Sequence, residues 1–395
     1  MTITVNHINR ICIMFREFVD LTKNIYGNSN PIPLHAPVFS GNEKKYLNEC
    51  IDSTFVSSMG QFVNRFEEQL AQFTGAKYAV VTSNGTSALH TSLILAGVRP
   101  NHLVITQALS FVATSNAISY TGASPVFVDV DMDTMGMSPK ALRKFLEVNT
   151  KKVNGICTYL KTGQQISACI PMHTFGLVCR IKEIKNICEE YNLFLIEDAA
   201  ESIGSSITGI HTGLIGKLGV LSFNGNKIIT AGGGGAIVTN DEELAMHAKH
   251  LTTQAKVSHE WEFNHDEVGY NYRMPNLNAA LVLAQLESLP VYLNQKRGVF
   301  EKYKNFFSTY ADIKLAEPIA GTVSNHWLNT LLLEDRNGRD EFLTFTNENG
   351  VMTRPAWTLM TKLPMYKTCI NDGLKNSIEL ENRIVNIPSS AINLN

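Results

Sequence analysis

Several large functional classes leave no trace in this sequence. Its 395 residues carry 34 Lys and Arg against 36 Asp and Glu, a net charge of −2, so there is no basic excess to hold nucleic acid or an anionic membrane. No apolar run approaches the roughly 18 residues that span a bilayer. The opening stretch MTITVNHINRICIMFREFVD has only a short apolar patch. Charges interrupt it and no small-residue cleavage site follows, which predicts a helix and not a signal peptide. The seven cysteines (12, 50, 157, 169, 179, 188 and 369) are odd in number and form no CxxC pair. That pattern suits buried thiols in a reducing cytoplasm and predicts neither a disulfide framework nor a structural metal. Nothing fits GxxxxGK[ST] or G-x-S-x-G. HEWEFNH (259–265) fails as a zinc helix because Phe263, not histidine, stands four residues after His259. GGGGA (232–236) is not followed by the helix that a dinucleotide fingerprint requires.

What remains is an ordinary globular composition, 44% hydrophobic and 18% charged. The length suggests two or three units. Short β-rich runs alternate with helical patterns: 78–83, 102–107, 124–130, 167–173, 193–198, 219–223 and 235–240 read as strands, and 86–97 and 180–192 as helices. Strands separated by helices predict an α/β fold with a mainly parallel sheet, and strands without alternation predict burial on both faces. From Asn276 the pattern becomes one or two long amphipathic helices, with Pro290 a possible kink site. The expected division is 1–40 (N-terminal helix and extended leader), 41–275 (large α/β unit), 276–310 (helical connector) and 311–395 (small C-terminal α+β unit). A cleft at the carboxyl ends of the parallel strands is the expected ligand site.

Four stretches offer chemistry, and each has a plainer reading. In TSNGTSALH (82–90), Thr86 and Ser87 open a helix whose N-terminus either binds phosphate or is simply capped. In LIEDAAESIG (195–204), Asp198 ends a strand and either faces a cleft or caps a following helix. In SFNGNKIITAGGGGAIVT (222–239), Lys227 sits between a strand and four glycines. It is either an amine nucleophile toward carbonyls or an exposed loop lysine, and Ser222 is either a phosphate ligand or a strand hydroxyl. In LSFVATSNAI (109–118), Phe111 either stacks on a ring or fills the core.

Together the four are more specific than any one. Pyridoxal 5'-phosphate needs an anion site, an aromatic face, a carboxylate for its pyridine nitrogen and a lysine for its aldehyde. The chain supplies Thr86 and Ser87, Phe111, Asp198, then Ser222 with Lys227, in that order. The stretches GQFVNRFEEQLAQFTGAKYAVVTSNGTSALH, FVDVD, MHTFG, IEDAAESIG, SFNGNKIITAGGGGAIVT, GYNYRMPNLNAALVLAQL and TRPAWTLMTKLPMY resemble the DegT/StrS-type nucleotide-sugar aminotransferases, from about residue 33 onward. PLHAPVFSGNEKKYLNECIDSTFVSSMG and SFNGNKIIT are similar to the LegC-like subgroup, which aminates C4 of a UDP-linked 4-keto-6-deoxy-N-acetylhexosamine.

The resemblance implies a fold-type I PLP-dependent transferase: a large domain with a mainly parallel central sheet plus a smaller C-terminal α+β domain. It implies Lys227 as the catalytic, cofactor-holding lysine. It implies Asp198 at the pyridine nitrogen, Glu201 near the cofactor's phenolic oxygen, and Thr86, Ser87 and Ser222 at the phosphate. Asn271 would reach the phosphate of a neighbouring subunit's cofactor, which implies a homodimer with shared active sites. His326 and Arg354 are candidates for the sugar or its diphosphate, and Gly60 and Gln61 for the cleft lining. The implied substrates are a nucleotide-linked keto sugar, here UDP-2-acetamido-2,6-dideoxy-4-hexulose, and L-glutamate, with no nucleic-acid or membrane partner and a cytoplasmic location. Two departures stand out. Asn224 replaces the aromatic or histidine found in many relatives, and Gly233 replaces the glutamate of a GEGG pattern. Lys227 is retained where related dehydratases have histidine, which favours transamination. The rivals are a GDP- or dTDP-linked keto sugar and a non-catalytic PLP-binding regulator.

Overall fold

The computed structural model describes residues 2–27 and 30–392, with side chains from Ile13 onward. Seven strands build the central sheet: β1 (Tyr78–Thr82), β2 (Leu103–Gln107), β3 (Ser124–Val128), β4 (Ile166–Ile170), β5 (Phe194–Asp198), β6 (Leu218–Ser222) and β7 (Gly235–Thr239). Their order across the sheet is β1-β7-β6-β5-β4-β2-β3. β2 to β6 run parallel. Only β7 is reversed, inserted between β6 and β1. β2, β4 and β7 are buried at every residue, which is why their sequences lack alternation.

The two faces of each strand feed different cores. Val104 joins Leu89, Leu93, Ile118, Ile170 and Val220 on one side. Its neighbours Leu103 and Ile105 join Leu142, Phe145, Ile184 and Leu195 on the other. The helices that cover these faces are α4 (Gly85–Leu95), α5 (Val112–Tyr120), α6 (Pro139–Asn149), α7 (Ile181–Tyr191) and α8 (Glu242–Thr252). Several start or stop on local signals. Ser138 caps α6 with Pro139 at its first position, Asp241 caps α8, and Asn192 in the left-handed conformation ends α7. The strand expected over 167–173 stops at Ile170. Pro171 follows it, and the chain then turns through Thr174–Gly176.

After the sheet, α9 (Asn276–Phe307) runs as one 32-residue helix through Pro290. It leads to a four-stranded antiparallel sheet of β8 (Lys314–Leu315), β9 (Asn329–Leu332), β10 (Arg354–Pro355) and β11 (Ile384–Ile387), in the order β8-β9-β11-β10. This sheet is covered by α10 (Arg336–Glu348) and α11 (Lys375–Arg383). The N-terminal helix α1 (Thr2–Tyr26) packs there too: Phe18 sits against Tyr303, Phe307 and Phe342. We propose the boundaries 1–40, 41–275, 276–310 and 311–395 as units on this basis. Through Met14, Phe15, Phe18 and Val19, α1 belongs physically with the small C-terminal unit.

Candidate active site

The parallel strands deliver their carboxyl ends to one edge of the sheet, and a cavity of about 300 Å³ lies there. It is lined by Thr86, Phe111, Asp198, Glu201, Ser222 and Lys227, six of the residues singled out in the sequence. Asn84, Thr114, Asn226, Trp327 and Trp357 are among the other residues of its wall.

One end is an anion site. The side chain of Asn84, not Thr86, caps α4 by accepting the Ser87 N–H at 2.8 Å. This leaves the N–H groups of Gly85 and Thr86 at a positive dipole end. Ser222 stands beside them. A Cβ added to Gly85 would lie 3.1 Å from the Ser222 Cβ, and one added to Gly235 would lie 2.5 Å from the Asn84 carbonyl carbon. Glycine at both positions therefore lets α4 approach β6 and β7. Ser87 is not among the lining residues of this cavity. Its hydroxyl is held by Asn84 (3.1 Å) and Ser83 (3.1 Å), and it faces a neighbouring hollow with Tyr120 and Tyr272.

The acidic wall is built by β5. Asp198 is 2% exposed, and its carboxylate accepts the Thr114 hydroxyl at 2.6 Å and the Ala200 N–H at 3.2 Å. No helix follows at 199–204, so the capping reading of Asp198 fails. Burial pushes the Asp198 carboxyl above its usual range, while Thr114, Ala200 and Lys227 pull it back. Beneath it lies a second buried pair. His173 Nε2 meets a Glu197 oxygen at 2.9 Å with both side chains fully enclosed. Glu197 also accepts the N–H groups of Gly213 (2.9 Å), Ile215 (2.6 Å) and Gly216 (2.6 Å). Burial opposes the His173 charge, but the Cys179 thiol and Glu197 outweigh it and raise the imidazole to about 10. The Glu197 carboxyl is held below its usual range: burial raises it, but His173 and the N–H donors outweigh that.

Lys227 follows β6 on a turn in which its N–H reaches the Asn224 carbonyl at 3.0 Å. Its Nζ lies 3.9 Å from the centre of the Trp327 ring and 3.4 Å from Glu201 Oε1. Trp327 is itself fixed by its indole N–H, which donates to the Asn226 carbonyl at 2.8 Å. Glu201 accepts the Phe175 N–H at 2.9 Å, and burial lifts its carboxyl to about 7 despite the nearby lysine. The exposed-loop reading of Lys227 fails, since its side chain is only 12% exposed.

Phe111 is not core. It is half exposed, just before α5, and its ring lies 6.2 Å from that of Trp357. Four other positions lie away from this cavity. Gly60 packs on Asn276, where an added Cβ would sit 2.2 Å from the side chain. Gln61, beside it, opens α3 (Gln61–Thr74) and is exposed. Arg354 is exposed and held by Asn347 at 2.8 Å. His326 is buried and stacked on Phe300 at 4.1 Å, and burial lowers its imidazole to about 3. Their sequence neighbours Trp327 and Trp357 line the cavity instead. Asn271 is exposed and accepts a bond from Arg273 Nε at 3.1 Å, also outside the cavity of its own chain. One signal for the missed residues was present: the chain has only three tryptophans, and two of them are here. Thr114, one helical turn past Phe111, was the other.

These features meet what pyridoxal 5'-phosphate requires: a helix N-terminus with a hydroxyl for its phosphate, and a lysine amine and buried carboxylate on one cavity. Residues 38–392 match the DegT/DnrJ/EryC1/StrS aminotransferase family. The chain belongs to that family. EpsN of Bacillus subtilis (strain 168) is 37% identical to it, over 85% of this chain and 84% of its own length. A GDP-perosamine synthase of Escherichia coli O157:H7 is 35% identical over 85% and 87%. A crystal structure of a DegT DnrJ EryC1 StrS aminotransferase from Brucella abortus superimposes with a TM-score of 0.80 at 27% identity, covering 88% of this chain and 90% of its own. The family member described here is a pyridoxal-phosphate-dependent transaminase with the fold of its family. Among the described residues, no helix is long and apolar enough to cross a membrane.

Proposed function

We propose that this transaminase aminates C4 of a nucleotide-linked 4-keto-6-deoxy sugar, with L-glutamate as donor and UDP-2-acetamido-2,6-dideoxy-4-hexulose as acceptor. The observation that carries the reading is the single cavity on which Lys227, Asp198, Glu201 and the α4 N-terminus converge. Lys227 is the residue that would hold the cofactor and move the proton at the substrate carbon. Asp198, fixed by Thr114, would keep a proton on the pyridine nitrogen. The bound cofactor supplies an electron sink for charge developing at that carbon. Glu201, its carboxyl raised to about 7 by burial, lies 3.4 Å from the lysine amine. Ser222 and the Gly85 and Thr86 N–H groups would take the phosphate. Trp327 and Trp357 line the cavity from the C-terminal part of the chain.

The acceptor's nucleotide rests on the resemblance of residues 33–60 and 222–230. A GDP-linked acceptor is the second reading, because relatives 34–35% identical carry the name GDP-perosamine synthase. The exposure of Asn271 outside its own cavity supports a homodimer in which it serves the neighbouring site. Purified enzyme incubated with glutamate and a panel of UDP-, GDP- and dTDP-linked 4-keto sugars tests the substrate. Amino sugar from the UDP compound alone is expected, and preference for the GDP compound would replace the first reading with the second. Lys227→Ala should abolish turnover and remove the visible band of the bound cofactor. A variant that keeps both would sink the assignment.

A further inference from the structure

We propose that the protein carries a divalent transition-metal site of the zinc class on its surface, formed by His250, Asp266 and Glu267 with His247 beside them. No step of the transamination uses these residues. His247 and His250 stand three apart near the end of α8 and so share a face. Asp266 and Glu267 come from the return arm of a hairpin that leaves α8 near Gln254 and rejoins it through the Tyr270 N–H on Leu251 (2.7 Å). The ligand atoms of His250, Asp266 and Glu267 all lie within 4.8 Å of one another. His250 Nε2 is 2.6 Å from Asp266 Oδ1 and 3.7 Å from Glu267 Oε1, and His247 Nε2 is 2.8 Å from that same oxygen.

These separations bracket the about 3.3 Å that tetrahedral ligand atoms keep from each other when each sits about 2.0 Å from a zinc ion. Small rotations of exposed side chains would therefore seat a cation. Charge points the same way. Among the described residues, no lysine or arginine forms an ion pair with Asp266 or Glu267, and Lys249 on the same helix is taken by Glu67 at 2.6 Å. Two carboxylates with only imidazole neighbours neutralise one divalent cation. Imidazole with carboxylate selects zinc-like ions over magnesium or calcium, which prefer all-oxygen sites. The bound ion would clamp the hairpin arm to α8, and Asn271 lies four residues beyond Glu267 on that arm. The sequence does not display this site because the hairpin that follows α8 must fold back before its return arm meets the helix.

The test is calorimetric titration of tag-free holoenzyme with Zn²⁺ and, separately, with Mg²⁺. Limited chymotrypsin digestion runs alongside, since Trp261 and Phe263 at the hairpin tip are 71% and 79% exposed. One Zn²⁺ per chain is expected, with Mg²⁺ silent. Zn²⁺ should slow cleavage of the hairpin. His250→Gln and Asp266→Asn should each weaken Zn²⁺ binding by at least about tenfold and abolish the protection, with His247→Gln losing less. The proposal is overturned if no stoichiometric Zn²⁺ binds, if Mg²⁺ binds as tightly, or if binding is unchanged in both His250→Gln and Asp266→Asn.

Discussion

Two histidine–carboxylate pairs in this protein have nearly the same geometry and very different surroundings. His173 and Glu197 meet at 2.9 Å with neither side chain exposed, under the strand that carries Asp198. His250 and Asp266 meet at 2.6 Å on the surface, with side chains 26% and 59% exposed. Distance alone would rank them as equals, but the dielectric around them does not. In the interior, Glu197 is held by three backbone N–H groups as well as by the imidazole, and the His173 charge persists far above its ordinary range. On the surface, water competes for both partners and leaves their lone pairs open to another ligand. The first pair is part of the frame, and the second is free to bind.

The largest effect in breaking this comparison should come from His173→Gln, which leaves a carboxylate buried without its cation. We expect a loss of about 3–5 kcal/mol in urea unfolding. In the parent, this contribution should be complete below pH 6.5 and fade as pH rises through about 10, where the folded imidazole loses its proton. An unchanged urea midpoint would refute the buried-pair account.

Glu201 should come next. Below about pH 4.5 both folded and unfolded chains hold its proton. Between there and about 7 the folded chain keeps a proton that the unfolded chain has lost, so stability falls as pH rises. The total is about 3 kcal/mol, a figure that already contains the opposing pull of Lys227. Thermal melts of cofactor-free Glu201→Gln across pH 4–8 should flatten that slope. A slope identical to the parent's would place the titration elsewhere.

Thr114→Val should be smaller. Loss of the 2.6 Å bond to Asp198 is expected to cost about 1.5–3 kcal/mol and to weaken cofactor retention, measured by dialysis and the visible band. The smallest effect belongs to Asp266→Asn. In metal-free protein its melting temperature should match the parent's, and a large drop would show that the surface pair is structural after all.

The sheet and the acidic wall were legible in the sequence for a common reason: both are written in contiguous residues. A buried strand is a run of apolar side chains, and Asp198, Ser222 and Lys227 each sit at or just past the end of one. Phe111 and Ser87 were harder, because one aromatic or one serine at a helix start serves a core, a cap or a ligand equally well. The cap at α4 fell to Asn84, whose side chain accepts the N–H of Ser87 three residues on. His326 and Trp327 are adjacent in the chain, but a left-handed turn at His326 (φ 49°) separates them, with Trp327 in the cavity and His326 on Phe300.

By itself the sequence determined the chemistry: a lysine amine, a carboxylate and a helix start each placed at a strand's carboxyl end, in the order a pyridine cofactor needs. Tertiary structure alone decided what surrounds them. The tryptophans that flank Lys227 and Phe111, the pairing of His173 with Glu197 and the meeting of α8 with the 266–267 arm all join residues that only the folded chain brings together. Local propensity extends over a few residues, whereas burial, and with it proton affinity, is set by whichever distant segment packs on top.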